Sequence, residues 1–216
     1  MKVKICGIIQ LEDALAAVEA GADLLGFNFY PPSPRYISPG GCAAILQALA
    51  HQGTPVIGVG VFVNTPPARV AAILEECGLA QAQLSGDEPP EDLELLGERA
   101  FKALHPTNLE ALSAEVIRYP GRSLLPAWLV DAYRPGQYGG TGQVADWSLA
   151  RSLAERAPIL LAGGLRPENV AQAIAQVHPW GVDVASGVES APGRKDRRKI
   201  EAFIHAAHQS VQENLV

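Results

Sequence analysis

Two reactive side chains stand where an apolar run of the chain stops. In Val3-Lys4-Ile5-Cys6-Gly7 a cysteine closes an alternating stretch, and a glycine follows it directly. A thiol at such a strand end can act as a base once it is deprotonated. Lys4, two residues back on the same face, is a cation that favours the thiolate. The plainer reading of Cys6 is a small buried core thiol. Asp131 closes Leu129-Val130 in the same way. A carboxyl group there can donate or accept a proton in catalysis, or it can serve as a turn residue. Asp183, in Gly181-Val182-Asp183-Val184, is a third ionisable group in an apolar run. We expect it first to neutralise Lys4 and only second to touch a substrate.

Two late clusters have the composition of an anion cradle. One is Leu161-Ala162-Gly163-Gly164-Leu165, the other Ala185-Ser186-Gly187-Val188-Glu189. Glycines let backbone N–H groups approach phosphate oxygens closely. Gly-Gly is common in turns, so the signal lies in both clusters occurring where they do. Arg35 lies in a proline-stiffened segment, Pro31-Pro32-Ser33-Pro34-Arg35. Most single arginines are solvated, but a fork held on a rigid loop suits a carboxylate.

These residues need a scaffold, and the hydrophobic pattern describes one. Short apolar runs alternate with stretches of helical spacing along the whole chain. Strands are expected at Val3–Cys6, Leu24–Asn28, Val56–Phe62, Ala82–Leu84, Ala100–Leu104, Leu124–Val130, Ile159–Ala162 and Val182–Ala185. Ser38-Pro39 and Thr65-Pro66 read as caps followed by proline in a first helical turn. Asp146 reads as a cap after the glycine-rich loop Arg134–Gln143, and Val211 as a core position of the last helix. Eight βα units in one chain predict an α/β fold, a single-domain (βα)8 TIM barrel spanning residues 1–216. Strand alternation then turns Lys4, Cys6, Asn28, Gln83, Ser85, Lys102, Asp131 and Asp183 into the lumen. Buried polar groups are costly unless they are paired, so this many on one surface marks a site. In such barrels chemistry sits at the C-terminal strand ends, and phosphate sits on the loops after strands seven and eight.

Composition bounds the partners. The chain is 48% hydrophobic and 19% charged, with a formal net charge of −6 and no basic block. Nucleic acid and anionic membrane surfaces are therefore disfavoured, and a small-molecule substrate is expected. No apolar run approaches the length of a membrane span, and the first residues lack a signal-peptide core. Three cysteines without metal spacing suggest a reducing compartment, so the expected location is the cytoplasm. The sequence leaves monomer and homodimer open.

In order and spacing, a further set of segments resembles the phosphoribosylanthranilate isomerase family along essentially the whole chain. They include Lys2-Val-Lys-Ile-Cys-Gly-Ile8, Gly26-Phe-Asn-Phe29, Ser33-Pro-Arg-Tyr-Ile37 and Gly60-Val-Phe-Val-Asn64. Gln83-Leu-Ser-Gly86, Gly139-Gly-Thr-Gly142 and Asp146-Trp147 follow. The two glycine clusters, Pro192-Gly193 and Lys195-Asp196 complete the set.

The resemblance implies an Amadori rearrangement of a phosphosugar–anthranilate substrate in tryptophan biosynthesis, with no metal or cofactor. It implies Cys6 as general base and Asp131 as general acid. It assigns Arg35 to the anthranilate carboxylate, and Gly163, Gly164, Ser186 and Gly187 to the phosphate; from their inward-facing positions, Gln83 and Asp183 are expected as further substrate contacts. Two positions depart from the family pattern: Ser85 stands where His is usual, and Ile9 where Thr is usual. A histidine-pathway sugar isomerase would use paired aspartates, which Cys6 argues against. Retention of both Cys6 and Asp131 argues against a non-catalytic phosphate-binding barrel.

Overall fold

The computed structural model describes residues 1–54, 56–131 and 147–213. Eight parallel strands close into a barrel in chain order. They are β1 (Lys2–Cys6), β2 (Leu24–Asn28), β3 (Ile57–Phe62), β4 (Gln81–Leu84), β5 (Ala100–Leu104), β6 (Trp128–Val130), β7 (Ile159–Leu161) and β8 (Gly181–Val184). The helices between and after them are α1 (Leu11–Glu19), α2 (Pro39–His51), α3 (Pro67–Cys77), α4 (Pro90–Leu96), α5 (Leu109–Arg118), α6 (Trp147–Ala154), α7 (Val170–Val177) and α8 (Arg197–Glu213). A small antiparallel hairpin, β9 (Glu189–Ala191) and β10 (Arg194–Lys195), lies between β8 and α8. Among the described residues no helix is long and apolar enough to cross a membrane.

Closure rests on the pairing of β1 with β8, which sets Lys4 beside Asp183. The outer faces of the strands and the inner faces of the helices share one apolar core. A second, separate cluster fills the lumen: Leu24, Val59, Phe101, Ala103, Leu129 and Leu160, with Ala162 above them. This packed plug supports the polar side chains at the C-terminal strand ends, as expected for a barrel filled by layers of side chains.

Several local expectations hold and others change. The Ser38 hydroxyl accepts a hydrogen bond from Gly41 N at 3.2 Å and caps α2. Thr65 does not cap α3. Its hydroxyl donates to the Val63 carbonyl instead, and the helix starts one residue later, behind Pro66. The sixth strand is only Trp128–Val130, not Leu124–Val130. Pro126 has no N–H to offer a neighbouring strand, and Leu124 and Leu125 are exposed. The loop Arg134–Gln143, the Gly139–Gly142 segment, the Asp146 cap and the Val211 side chain lie outside the described residues.

Lys102 corrects the expected strand register. Phe101 pairs with Gln83 and points into the lumen, so Lys102, opposite Leu84, points out toward the helices. There its ammonium bonds Glu88 Oε2 at 2.6 Å and lies 5.2 Å from the centre of the Tyr119 ring. The run Ala100-Phe-Lys-Ala-Leu104 is apolar at both alternating sets of positions. Its polar residue was therefore a misleading guide to its inner face.

Candidate active site

Cys6 ends β1 at the mouth of the lumen, and Gly26 of β2 stands opposite it. A Cβ on residue 26 would fall 2.7 Å from the Cys6 sulfur, so only glycine leaves room for the thiol in this register. Burial pushes the thiol above its ordinary pKa, and Lys4 is the strongest influence pulling it back. Asp183 adds to the upward push, while Lys195 and Arg35 join Lys4 in opposing it.

Beneath the thiol, Lys4 is fully buried and wired on two sides. Its ammonium donates to Gln83 Oε1 at 2.7 Å and lies 3.1 Å from Asp183 Oδ1. The expected neutralising pair between Lys4 and Asp183 is present. Burial is the largest single influence and lowers the lysine, but the Asp183 carboxylate and the Cys6 sulfur together outweigh it and hold the ammonium above its ordinary pKa. The ion pair is close without being an aligned hydrogen bond, so among the described residues Asp183 Oδ1 has no aligned donor. Gln83 is committed at both ends, since its amide also donates to the Ser85 hydroxyl at 3.0 Å. It reads as wiring beneath the site.

The two glycine clusters meet. Gly163, Gly164, Ser186 and Gly187 line one cleft together with Asp131 and Asp183. A Cβ on residue 187 would fall 1.9 Å from the Leu165 carbonyl oxygen, so the loops after β7 and β8 touch backbone to backbone. No lysine or arginine lines this cleft among the described residues. An anion there would be held by N–H groups. Asp131 follows β6, and Cys6 ends β1, so both stand at the same end of the barrel, three strands apart around the ring.

Arg35 reaches the site from the loop after β2. Asn28 folds that loop: its side chain accepts from Tyr30 N at 2.8 Å and donates to the Ser33 hydroxyl at 3.3 Å. The guanidinium is not empty-handed. Its Nε and Nη2 each donate to a Glu189 oxygen at 2.8 Å. Glu189 in turn accepts from Lys195 at 2.9 Å. Glu189 and Lys195 both lie in sequence segments of the family pattern, but no local spacing marks either as a partner of Arg35.

His105 is a further ionisable group at the barrel mouth, with no motif around it in the sequence. Its ring lies at the end of β5 against the backbone at Ser85 and Asp131. Burial, followed by the Lys102 charge, lowers its pKa, and its buried Nε2 has no hydrogen-bond partner among the described residues. Those residues contain no His, Cys, Asp or Glu cluster able to hold a metal ion.

Comparison with known proteins agrees with this geometry. The family model for N-(5'phosphoribosyl)anthranilate (PRA) isomerase matches residues 3–206. The N-(5'-phosphoribosyl)anthranilate isomerase of Geobacter sulfurreducens is 47% identical over 208 residues, covering 96% of this chain and 98% of that protein. The Myxococcus xanthus enzyme of the same name is 47% identical, with 96% of each chain covered. The crystal structure of the Thermotoga maritima enzyme superposes with a TM-score of 0.85 at 42% identity, covering 97% of this chain and 99% of that one. Another phosphoribosyl anthranilate isomerase, solved with reduced 1-(o-carboxyphenylamino)-1-deoxyribulose 5-phosphate, gives 0.82 at 39% identity, with the same coverage. A closed βα barrel with a match running from β1 into α8 leaves one assignment: the chain belongs to the N-(5'-phosphoribosyl)anthranilate isomerase family, the aldose–ketose isomerases of tryptophan biosynthesis.

Proposed function

We propose that this chain, acting as one catalytic domain over residues 1–216, performs the family's Amadori rearrangement with Cys6 as general base and Asp131 as general acid. The observation that carries the reading is the placement of a thiol and a carboxyl group at the same barrel mouth, on either side of a glycine-lined cleft. The cleft takes the 5-phosphate on the N–H groups of Gly163, Gly164, Ser186 and Gly187. A phosphate fixed there hangs the ribose between β1 and β6.

The protonated carboxyl of Asp131 gives its proton to the ribose ring oxygen. The C1′–O bond breaks as the anthranilate nitrogen lone pair forms the C=N bond of a Schiff base. Cys6, as thiolate, removes the C2′ proton, and the electron pair moves to give the enolamine. Tautomerisation yields 1-(2-carboxyphenylamino)-1-deoxyribulose 5-phosphate. Each positioned proton transfer is worth about 10²- to 10⁴-fold. Because a base must be unprotonated to act, kcat/KM should climb with pH as the thiol ionises.

Arg35 faces the anthranilate carboxylate. Glu189 holds two of its donors, so the substrate would meet the remaining N–H bonds of a guanidinium that is already oriented. Asp183 serves Lys4 first and the cleft second. Three free thiols and a biosynthetic reaction support the reading of a reducing, cytoplasmic location. The decisive experiment is turnover of phosphoribosylanthranilate by the purified chain, beside Cys6→Ser and Asp131→Asn. Full activity in either folded variant would remove that residue from the mechanism.

A further inference from the structure

The charge around Cys6 extends past the lumen into the β9–β10 hairpin. Lys195 closes β10 with its ammonium fully buried, bonded to Glu189 Oε1 at 2.9 Å and to the Ala185 carbonyl at 3.0 Å. Glu189 is nearly as buried, and it spends both oxygens on the Arg35 fork. The Arg35 stem lies over Gly7, next to Cys6: a Cβ on residue 7 would fall 2.5 Å from Arg35 Cδ. The hairpin also leans on the same loop through its backbone, since Gly193 leaves no room for a Cβ beside the Pro34 carbonyl, 2.7 Å away.

A buried lysine is costly, and the Glu189–Arg35 pair is neutral without it. Lys195 therefore adds a charge that its immediate partners do not require. Lys4, Arg35 and Lys195 are positive, while Asp183 and Glu189 are negative, which leaves one positive charge in excess. Asp13 on α1 accepts from Lys195 N at 3.1 Å, and Lys199 on α8 donates to the Glu189 carbonyl at 2.7 Å. They add one charge of each sign and leave the excess unchanged. The titratable group that Lys4, Arg35 and Lys195 all act on is the Cys6 thiol.

We propose that Lys195 is a positioning residue with two targets: through Glu189 it fixes the Arg35 fork, and directly it supplies the positive charge that offsets the Cys6 thiolate. The role rests on the assignment of Cys6 and Arg35 made above. It makes the hairpin part of the catalytic apparatus, tying the carboxylate anchor to the base through one carboxylate.

The test is alkylation of the purified full chain by iodoacetamide across pH, with Cys6→Ser as the background for Cys42 and Cys77. Lys195→Met should slow alkylation of Cys6 near pH 7 by about tenfold, the effect of a one-unit rise in thiol pKa. It should raise KM, and its kcat deficit should shrink at alkaline pH. Lys195→Arg should restore the alkylation profile. Glu189→Gln should move the thiol the other way, toward easier ionisation, while still raising KM because Arg35 loses its holder. Thermal melting of each variant separates these effects from misfolding, and the opposite shifts in two variants of one ion pair are not produced by loosening alone. An alkylation profile that moves in neither Lys195→Met nor Glu189→Gln overturns the proposal. Activity surviving in Cys6→Ser would instead overturn the assigned base, and the alkylation result would still report whether Lys195 acts on that thiol.

Discussion

Two lysines are buried in the same closed sheet and face opposite sides of it. Lys4 points into the lumen, where Asp183 and Gln83 hold it under Cys6. Lys102 points out beneath the helices, where Glu88 and the Gly86 carbonyl hold it beside Tyr119. Both are nearly free of solvent contact, and both have a carboxylate partner. The difference lies in what else each pair touches. Glu88 also accepts from the backbone N–H groups of Asn64 and Gly86, so the outer pair pins the loops after β3 and β4. The inner pair has a thiol above it, and its carboxylate also lines the glycine cleft. A buried charge network closed on backbone groups stabilises a structure, whereas one set beside a thiol and a cleft is available for chemistry.

The sharpest separation of the two sides comes from Cys6→Ser. It should lower kcat by about 10²- to 10⁴-fold, because a hydroxyl cannot replace the thiolate as base. Its unfolding midpoint in urea should stay near that of the parent chain.

Lys102→Met should do the reverse. Breaking a buried ion pair by removing one partner costs about 3–5 kcal/mol, so the urea midpoint should fall steeply. Turnover per folded molecule should hold. A stable Lys102→Met protein with impaired kcat would erase the distinction between the two surfaces.

Arg35→Ala tests the rim that joins both. A lost hydrogen bond to a charged group is worth about 1.5–3 kcal/mol, so KM should rise roughly 10- to 150-fold with a smaller change in kcat. Isothermal titration with a reduced product analogue would measure the binding loss directly. Unchanged affinity would move the carboxylate elsewhere.

A smaller effect is expected from alkali on the lumen pair. Lys4 is held above the ordinary lysine value of 10.5. Its pairing therefore contributes fully below that pH and is lost as pH rises through the folded-state value. In urea titrations the gap between the parent chain and Lys4→Met should be constant near neutrality and should narrow above about pH 10 to 11. Glu189 behaves oppositely: burial alone would raise it, but the Arg35 bonds and the Lys195 ammonium together hold it below its ordinary value. Its contribution is present above the ordinary carboxyl range and is lost as acid protonates it.

The smallest change lies on neither surface. Ser38→Ala removes the α2 cap and should cost about 1 kcal/mol of stability with no change in kinetics. It provides the baseline for reading the larger losses.

The sequence alone determined the eight-unit barrel, Cys6 and Asp131 at strand ends, the meeting of the two glycine clusters, and the Lys4–Asp183 pair. Each of these follows from short-range pattern plus one topological fact, that the last strand of a closed barrel neighbours the first. Tertiary structure decided what pattern could not. It turned Lys102 outward, because alternation is blind in a strand that is apolar on both faces and only the position of Glu88 breaks the tie. It bound the Arg35 fork to a carboxylate 154 residues away and set Lys195 behind that carboxylate. It laid the His105 ring against Ser85 and Asp131. Partners of buried charges are chosen by where the chain returns in space, and no local spacing encodes that return.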